Sequence, residues 1–396
     1  MTAPDPPPAR ARDVFLSRPV LAALTLLSLG LVLELVPALA RWRLFGARPE
    51  RAAGASLLPV PAASVGVAVL SGETENQGAP GAAVTRAHGP IAAAADAESI
   101  PDGKNAPPLP LDDPSGHALD AFYAALARAD AREPHAVVRV AHFGDSLIVS
   151  DFVSGTLRRA LQRRFGDAGH GFVLMANAWP SYFHWDVDRY ATGGWEVSRI
   201  VGPYAEDGWY GLGGVSFRAP KNLLARVGTA KSGDFGRNVA RFTLAYAESP
   251  EGGRVELRVD GKTRETLDTR APEKHARFHD LDVPDGPHEL ELQTLSGQSR
   301  FFGIVLEREG PGVVLDALGV QGARIRFLDK QDDAHFAEQL RWRRPSLVIY
   351  EFGATESGDG FVFPMADFHR TMRDVLAQTK RALPHASCLV IGAMDR

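Results

Sequence analysis

Residues 136–146 read AVVRVAHFGDS: small and β-branched apolar side chains that end in a tight Gly-Asp-Ser and lead into an apolar helix start. A continuous apolar run of this length suits a strand buried on both faces, and the segment Ala136 to Phe143 is expected to be one. Beyond the turn, Val153, Leu157, Leu161 and Phe165 fall four apart, which places them on one helical face. Arg158, Arg159, Arg163 and Arg164 lie off that stripe and are expected on a solvated face. GDAGHGF then closes the unit as a glycine-rich turn. Strand, turn and helix in this order open an α/β sheet. An earlier helix, with Ser115 as its N-cap, carries Leu119, Phe122, Tyr123 and Leu126 at helical spacing.

From about residue 175 the pattern changes to short alternating runs, among them VSFRA, ARFTLAYAE, RVELRVDG and HELELQTL, separated by Gly, Pro and Asp. No helical stripe interrupts them, so residues 176–310 are expected to form an antiparallel β-sandwich. Asp260-Gly261 and Asp285-Gly286 suit its tight turns. Alternation of strand and helix resumes with GVVLDALGV, a helix around Phe336 and Leu340, the buried-type strand SLVIYEF, an amphipathic helix from Met365 to Thr379, and the strand ASCLVIGA. The α/β part is therefore expected in two pieces, 115–175 and 311–396. Trp179, Trp185, Trp195 and Trp209 gather near the junction, where packing at the seam and a platform for sugar rings are both open readings.

Before residue 115 the chain has another character. After an N-terminal tail (1–18), residues 19–40 form a nearly uncharged apolar run interrupted by Glu34, with Arg10, Arg12 and Arg18 before it and Arg41 and Arg43 after it. The run is long enough to cross a hydrocarbon core of about 30 Å. An uncleaved anchor and a signal segment cut after Ala38-Leu39-Ala40 are the two readings, and its length favours the anchor. Residues 41–114 are rich in Ala, Pro and Gly and are expected to be a disordered linker. Lys and Arg total 44 against 48 Asp and Glu, which gives no bulk basic charge for nucleic acid. The single cysteine, Cys388, permits neither an internal disulfide nor a multi-cysteine metal site.

AHFGDSLIVSD resembles the first motif block of SGNH/GDSL hydrolases, in which GDS carries the nucleophilic serine; Ser146 is the matching residue, with a plain helix cap as the bland alternative. LGVQGARI resembles the second block, where a glycine amide helps form the oxyanion hole, and Gly322 matches it. VIYEFGATES resembles the third block, with Thr355 at the position of an asparagine that donates to the oxyanion, and Glu356 after it. A threonine hydroxyl offers one donor on a shorter arm than an asparagine amide. Losing an oxyanion donor lowers the rate by about 10²- to 10³-fold. The stretch from His142 to Val173 is similar to the opening of bacterial envelope esterases that remove O-acetyl groups from peptidoglycan or related glycans, and these can carry an inserted β-sandwich like a carbohydrate-binding module. The resemblance spans residues 116 to 396. It implies a flavodoxin-like three-layer sandwich, an acyl-enzyme on Ser146, and no metal or organic cofactor.

The same resemblance implies a base from an Asp-x-x-His block after the last strand, and residues 387–396 do not contain one. Asp332 to His335 has that spacing, but it precedes the third block and lies at a helix start. His142 is on the incoming strand and His369 on a helix, so neither is placed to act on Ser146. A serine without a base is a poor nucleophile. The expectation is an exported esterase whose Asp and His lie beyond residue 396, facing the periplasm from an inner-membrane anchor or secreted after cleavage. An inert glycan-binding domain and an O-acetyltransferase are the alternatives.

Overall fold

The computed structural model describes residues 111–359 and 364–393. The expected tail, the anchor or signal segment and the linker as far as residue 110 lie outside the described residues. Among the described residues no helix is long and apolar enough to cross a membrane.

At the centre is β1 (Val137–Gly144), paired in parallel with β13 (Gly312–Gly319) on one side and β14 (Leu347–Glu351) on the other. β14 pairs with β15 (Ser387–Ile391), so the chain order across this sheet is 2-1-3-4. In such a doubly wound sheet the connections leave β1 toward opposite edges, which opens a crevice beyond its carboxyl end. Side chains alternate between the two faces. Val138 and Val140 pack with α1 (Asp120–Asp130) and with Leu157, Leu161 and Phe165 of a second helix. On the other face Phe143 stacks on Tyr350 at 5.3 Å and meets Phe336 at 5.8 Å, under α4 (Asp333–Arg343) and α5 (Met365–Ala382).

The helix expected after Gly-Asp-Ser is broken into α2 (Ser146–Val149) and α3 (Phe152–Phe165), with Asp151 left-handed at φ 58° between them. Asp151 accepts from Ser154 Oγ (2.6 Å), the Trp185 N–H (3.0 Å) and both arms of Arg158 (2.7 and 3.1 Å). Arg158 is 1% exposed, which corrects the expectation of a solvated arginine face. The chain after residue 180 folds back over α3 and buries it: Arg159 pairs with Asp186, and only Arg163 and Arg164 remain outside. Burial works against the Asp151 carboxylate, but the Arg158 charge outweighs it and holds its pKa below the usual range.

Along the chain, two antiparallel sheets are inserted between the two pieces of the α/β part. One runs β10 (His275–Gly286), β7 (Val239–Glu248), β12 (Ser299–Glu307), β5 (Val215–Ala219), β4 (Glu196–Arg199). The other runs β3 (Val187–Ala191), β6 (Leu224–Thr229), β11 (Glu289–Thr294), β8 (Arg254–Val259), β9 (Lys262–Asp268). Antiparallel pairing already begins at β2 (Gly171–Val173), which lies beside β12. Asp260 and Gly261, both at positive φ (53° and 75°), turn β8 into β9 as the Asp-Gly pair requires. Asp285-Gly286 does not turn the chain; it stays within β10, past a bulge, and Asp285 pairs with Arg308.

Charge ties the antiparallel part to the parallel sheet. Asp316 on β13 accepts the Phe172 N–H (2.8 Å) and both arms of Arg343 (2.6 and 2.9 Å). Glu307 on β12 pairs with Arg343 and, at 2.7 Å, with Arg139 of β1. The tryptophans pack in the seam or beside it. Trp179 is buried, Trp195 lies against Phe217 and Phe301, and Trp209 stacks on His335 at 4.2 Å with Lys274 over its ring.

His335 makes the seam sensitive to acid. Its Nε2 donates to the Tyr210 carbonyl at 3.0 Å while Nδ1 is buried without a partner. Burial lowers its pKa to about 4, against the opposing pull of the Tyr210 bond. In the unfolded chain a histidine titrates near ~6.5, so the unfolded state gains the proton first as pH falls. The stability contributed by the neutral ring is whole above that value and is lost between about 6.5 and 4. His184, lowered by burial to about 4, acts in the same direction. Urea midpoints should drop across this window, and His335→Gln should make the drop shallower. An identical pH slope in wild type and variant would contradict this account.

Candidate active site

Ser146 is the first residue of α2, exposed at the end of β1 where the sheet order reverses. Two glycines let α2 rest directly on the strand ends. A Cβ at Gly144 would sit 2.5 Å from the Ile148 side chain, and one at Gly319 only 2.7 Å from the Val149 nitrogen. The Val320 N–H donates to the Gly144 carbonyl at 3.1 Å, so the exits of β1 and β13 are tied together. Val320 to Ala323 form a turn closed by Ala323 N–H to Val320 O at 3.0 Å, with Gly322 at φ 75° where such a turn demands positive φ. Among the described residues, neither the Ser146 N–H nor the Gly322 N–H has an acceptor.

Asp145 caps α2 by accepting from Leu147 N–H at 3.1 Å. Its other oxygen accepts both the N–H (3.1 Å) and the hydroxyl (2.9 Å) of Thr355. The one hydroxyl proton of Thr355 is therefore directed to Asp145. Glu356 does a similar job one residue on: Oε1 accepts from Ile325 N–H (2.6 Å) and Oε2 from Gly353 N–H (3.0 Å). Arg324 donates to the Gly322 carbonyl (3.1 Å) and forks onto Asp359, bracing the Gly322 turn from behind. Ser146, Gly322 and Thr355 are thus on three adjacent loops joined by carboxylates. Sequence reasoning missed the joining residues; acidic side chains directly after buried strands were the available signal.

No candidate base meets the serine. His142 is fully buried, with Nε2 at 2.9 Å from Glu351. Asp332 is the N-cap of α4, accepting from the His335 N–H at 2.8 Å, and His369 is exposed on α5. Among the described residues nothing hydrogen-bonds the Ser146 hydroxyl.

Asp151, His170 and His184 form a buried group with metal-ligand residue types. The donors do not suit a cation. His170 Nε2 and His184 Nδ1 hydrogen-bond each other at 3.0 Å, and the Asp151 carboxylate already takes four hydrogen bonds, two of them from a guanidinium. Burial depresses both imidazole pKa values, so the rings stay neutral and the cluster packs the base of α3.

No protein-family model and no curated protein sequence matches the chain. Among solved structures it is similar to one described as "Peptidoglycan O-acetylesterase in action, 5 min", at 22% identity and a TM-score of 0.56, over 69% of this chain and 71% of that one. A family two carbohydrate esterase from Cellvibrio japonicus matches at 14% identity and a TM-score of 0.20, over 53% and 80% of the two chains. The first likeness shows a shared fold of the mixed α/β kind, with a parallel sheet and antiparallel sheets.

Asp145→Asn tests the joint between the first and third loops. An amide would present an NH₂ group to at least one of the donors now aimed at the carboxylate. Charge-assisted hydrogen bonds contribute about 1.5–3 kcal/mol each, so the urea unfolding free energy should fall by at least ~1.5 kcal/mol. An unchanged midpoint would show that the loops are held by other contacts.

Proposed function

We propose that the chain is an exported SGNH-type serine esterase that removes O-acetyl groups from a cell-envelope glycan, with peptidoglycan as the foremost candidate. The observation that carries this reading is a pair of free backbone N–H groups, on Ser146 and Gly322, beside an exposed serine hydroxyl at the switch point of a doubly wound sheet. The fold shared with a peptidoglycan O-acetylesterase supports it. So does the motif order along the chain, with Ser146, Gly322 and Thr355 each following a strand of the parallel sheet.

In this mechanism Ser146 Oγ attacks the acetyl carbonyl carbon and the carbonyl oxygen becomes an oxyanion held by the two amides. Collapse expels the sugar hydroxyl and leaves an acetyl-serine, which water cleaves to acetate. The proton of Ser146 needs an acceptor, and the resemblance assigns it to a histidine oriented by an aspartate after the last strand. Thr355 supports the site by holding Asp145 and does not replace the asparagine donor. The apolar run at 19–40 supports export, with the enzyme anchored at the inner membrane or released after cleavage.

A second reading has its own observation: no imidazole meets Ser146 among the described residues. On that reading the domain binds its glycan without turnover. A third keeps the acyl-enzyme but passes acetyl to a sugar hydroxyl.

Acetate release from O-acetylated peptidoglycan and from nitrophenyl acetate decides among them, measured with the 396-residue chain and with any longer natural form of it. Ser146→Ala should abolish release. Thr355→Ala should lower it less than tenfold, against about 10²- to 10³-fold for a true oxyanion donor. No Ser146-dependent release from either form would overturn the esterase reading, and acetylated sugar in place of acetate would identify a transferase.

A further inference from the structure

Two exposed aromatic side chains lie by the end of α2, the short helix that Ser146 begins. Phe152, the first residue of α3, is 59% exposed, and Phe183 is 39% exposed. Both flank the end of α2: the Phe183 N–H donates to the Val149 carbonyl at 3.4 Å, and Phe152 follows Val149 by three residues. Val149 is one helical turn from Ser146, a rise of roughly 5 Å. Phe152 meets Trp185 edge to face, with centroids 5.4 Å apart and planes at 87°, so the exposed ring is held in a set orientation. Trp185 is itself positioned, with its backbone N–H on Asp151 and the Arg159 guanidinium 4.5 Å over its ring. Beside Phe183, Ser181 Oγ donates to the side-chain oxygen Oε1 of Gln321 in the Gly322 turn at 2.6 Å, leaving the Gln321 side-chain NH₂ as a donor on the same rim.

We propose that Phe152 and Phe183 form a sugar-binding subsite that stacks a pyranose ring of the acetylated glycan and presents its ester to Ser146. It rests on the esterase-site reading above. Apolar side chains this exposed mark a ligand or partner surface when they occur together. Two features select a sugar. Both residues offer flat rings, Phe152 pre-set by its packing on Trp185, which suits the C–H face of a pyranose, and the polar Ser181–Gln321 pair beside Phe183 suits its hydroxyls. The distance from Val149 to Ser146 is also about the span of one ring, so a sugar on the aromatics carries its ester to the hydroxyl.

Binding without turnover tests this. In a Ser146→Ala background, calorimetry with O-acetylated peptidoglycan oligosaccharides should give saturable binding, weakened about tenfold by Phe152→Ala and again by Phe183→Ala. Phe152→Trp should retain the affinity and Phe152→Leu should not, because leucine keeps the apolar volume but has no flat face. Leu295→Ala, as exposed as Phe183 but in the antiparallel part, serves as the control and should leave binding unchanged. Absence of binding, or equal binding by the Trp and Leu variants, overturns the subsite. A concentration-dependent dimer lost in Phe152→Ala overturns it as well, by assigning the rings to self-association. If the subsite binds but no acetate is released, the esterase reading fails alone; if acetate is released and Phe152→Ala binds normally, the subsite fails alone.

Discussion

Asp145 and Glu356 accept hydrogen bonds from the backbones of three loops around Ser146: Leu147 from the first, Ile325 from the second, and Gly353 and Thr355 from the third. Loops at the carboxyl ends of parallel strands have no ladder to consume their N–H groups. A buried carboxylate with its acceptor sites turned to such groups satisfies them and is itself stabilised by them. Neither loop geometry nor carboxylate is stable without the other. Among the described residues the Ser146 and Gly322 amides have no acceptor, so both stay available beside the serine hydroxyl.

Thr355 shows how the arrangement limits chemistry. An asparagine in its place could reach toward the reacting carbonyl with an amide group, while the backbone alone held Asp145. Threonine has one hydroxyl proton, and Asp145 takes it at 2.9 Å. The side chain thereby reinforces the scaffold, and on the proposed esterase reading it is not a third oxyanion donor. On that reading, transition-state stabilisation rests on the Ser146 and Gly322 amides, and Arg324 with Asp359 gains importance because Arg324 braces the Gly322 carbonyl.

What the sequence made legible follows from range. The strand-turn-helix around Ser146, the break into antiparallel pairing and the return to α/β are all written in periodicities of a few residues. Arg158 was misjudged because its burial depends on Asp151 in an unusual left-handed conformation and on a chain segment arriving from beyond residue 180. The Asp332 to His335 spacing shows a different limit. An N-cap aspartate bonds the N–H three residues on, so a capped helix and an Asp-x-x-His motif share one pattern, and only the position of the helix separates them. Asp285-Gly286 failed as a turn because pairing with β7 continues past a bulge, a property of the partner strand and not of the dipeptide.

The antiparallel part bears on the site through where it is anchored. At one end Asp316, Glu307, Arg343 and Arg139 join β2 and β12 to the parallel sheet; at the other Asp151 holds Arg158 and the Trp185 N–H. The chain between β2 and β3 is stretched between these two anchors, and it carries Ser181 and Phe183 past the Gly322 turn and the end of α2. Buried ion pairs contribute little net stability compared with apolar packing, but breaking one costs about 3–5 kcal/mol, so they tolerate few alternative arrangements. Placing them at both ends of this segment fixes one wall of the crevice relative to the serine. A loop held by apolar contacts alone could slide by a residue at smaller penalty, and the wall would then no longer face Ser146.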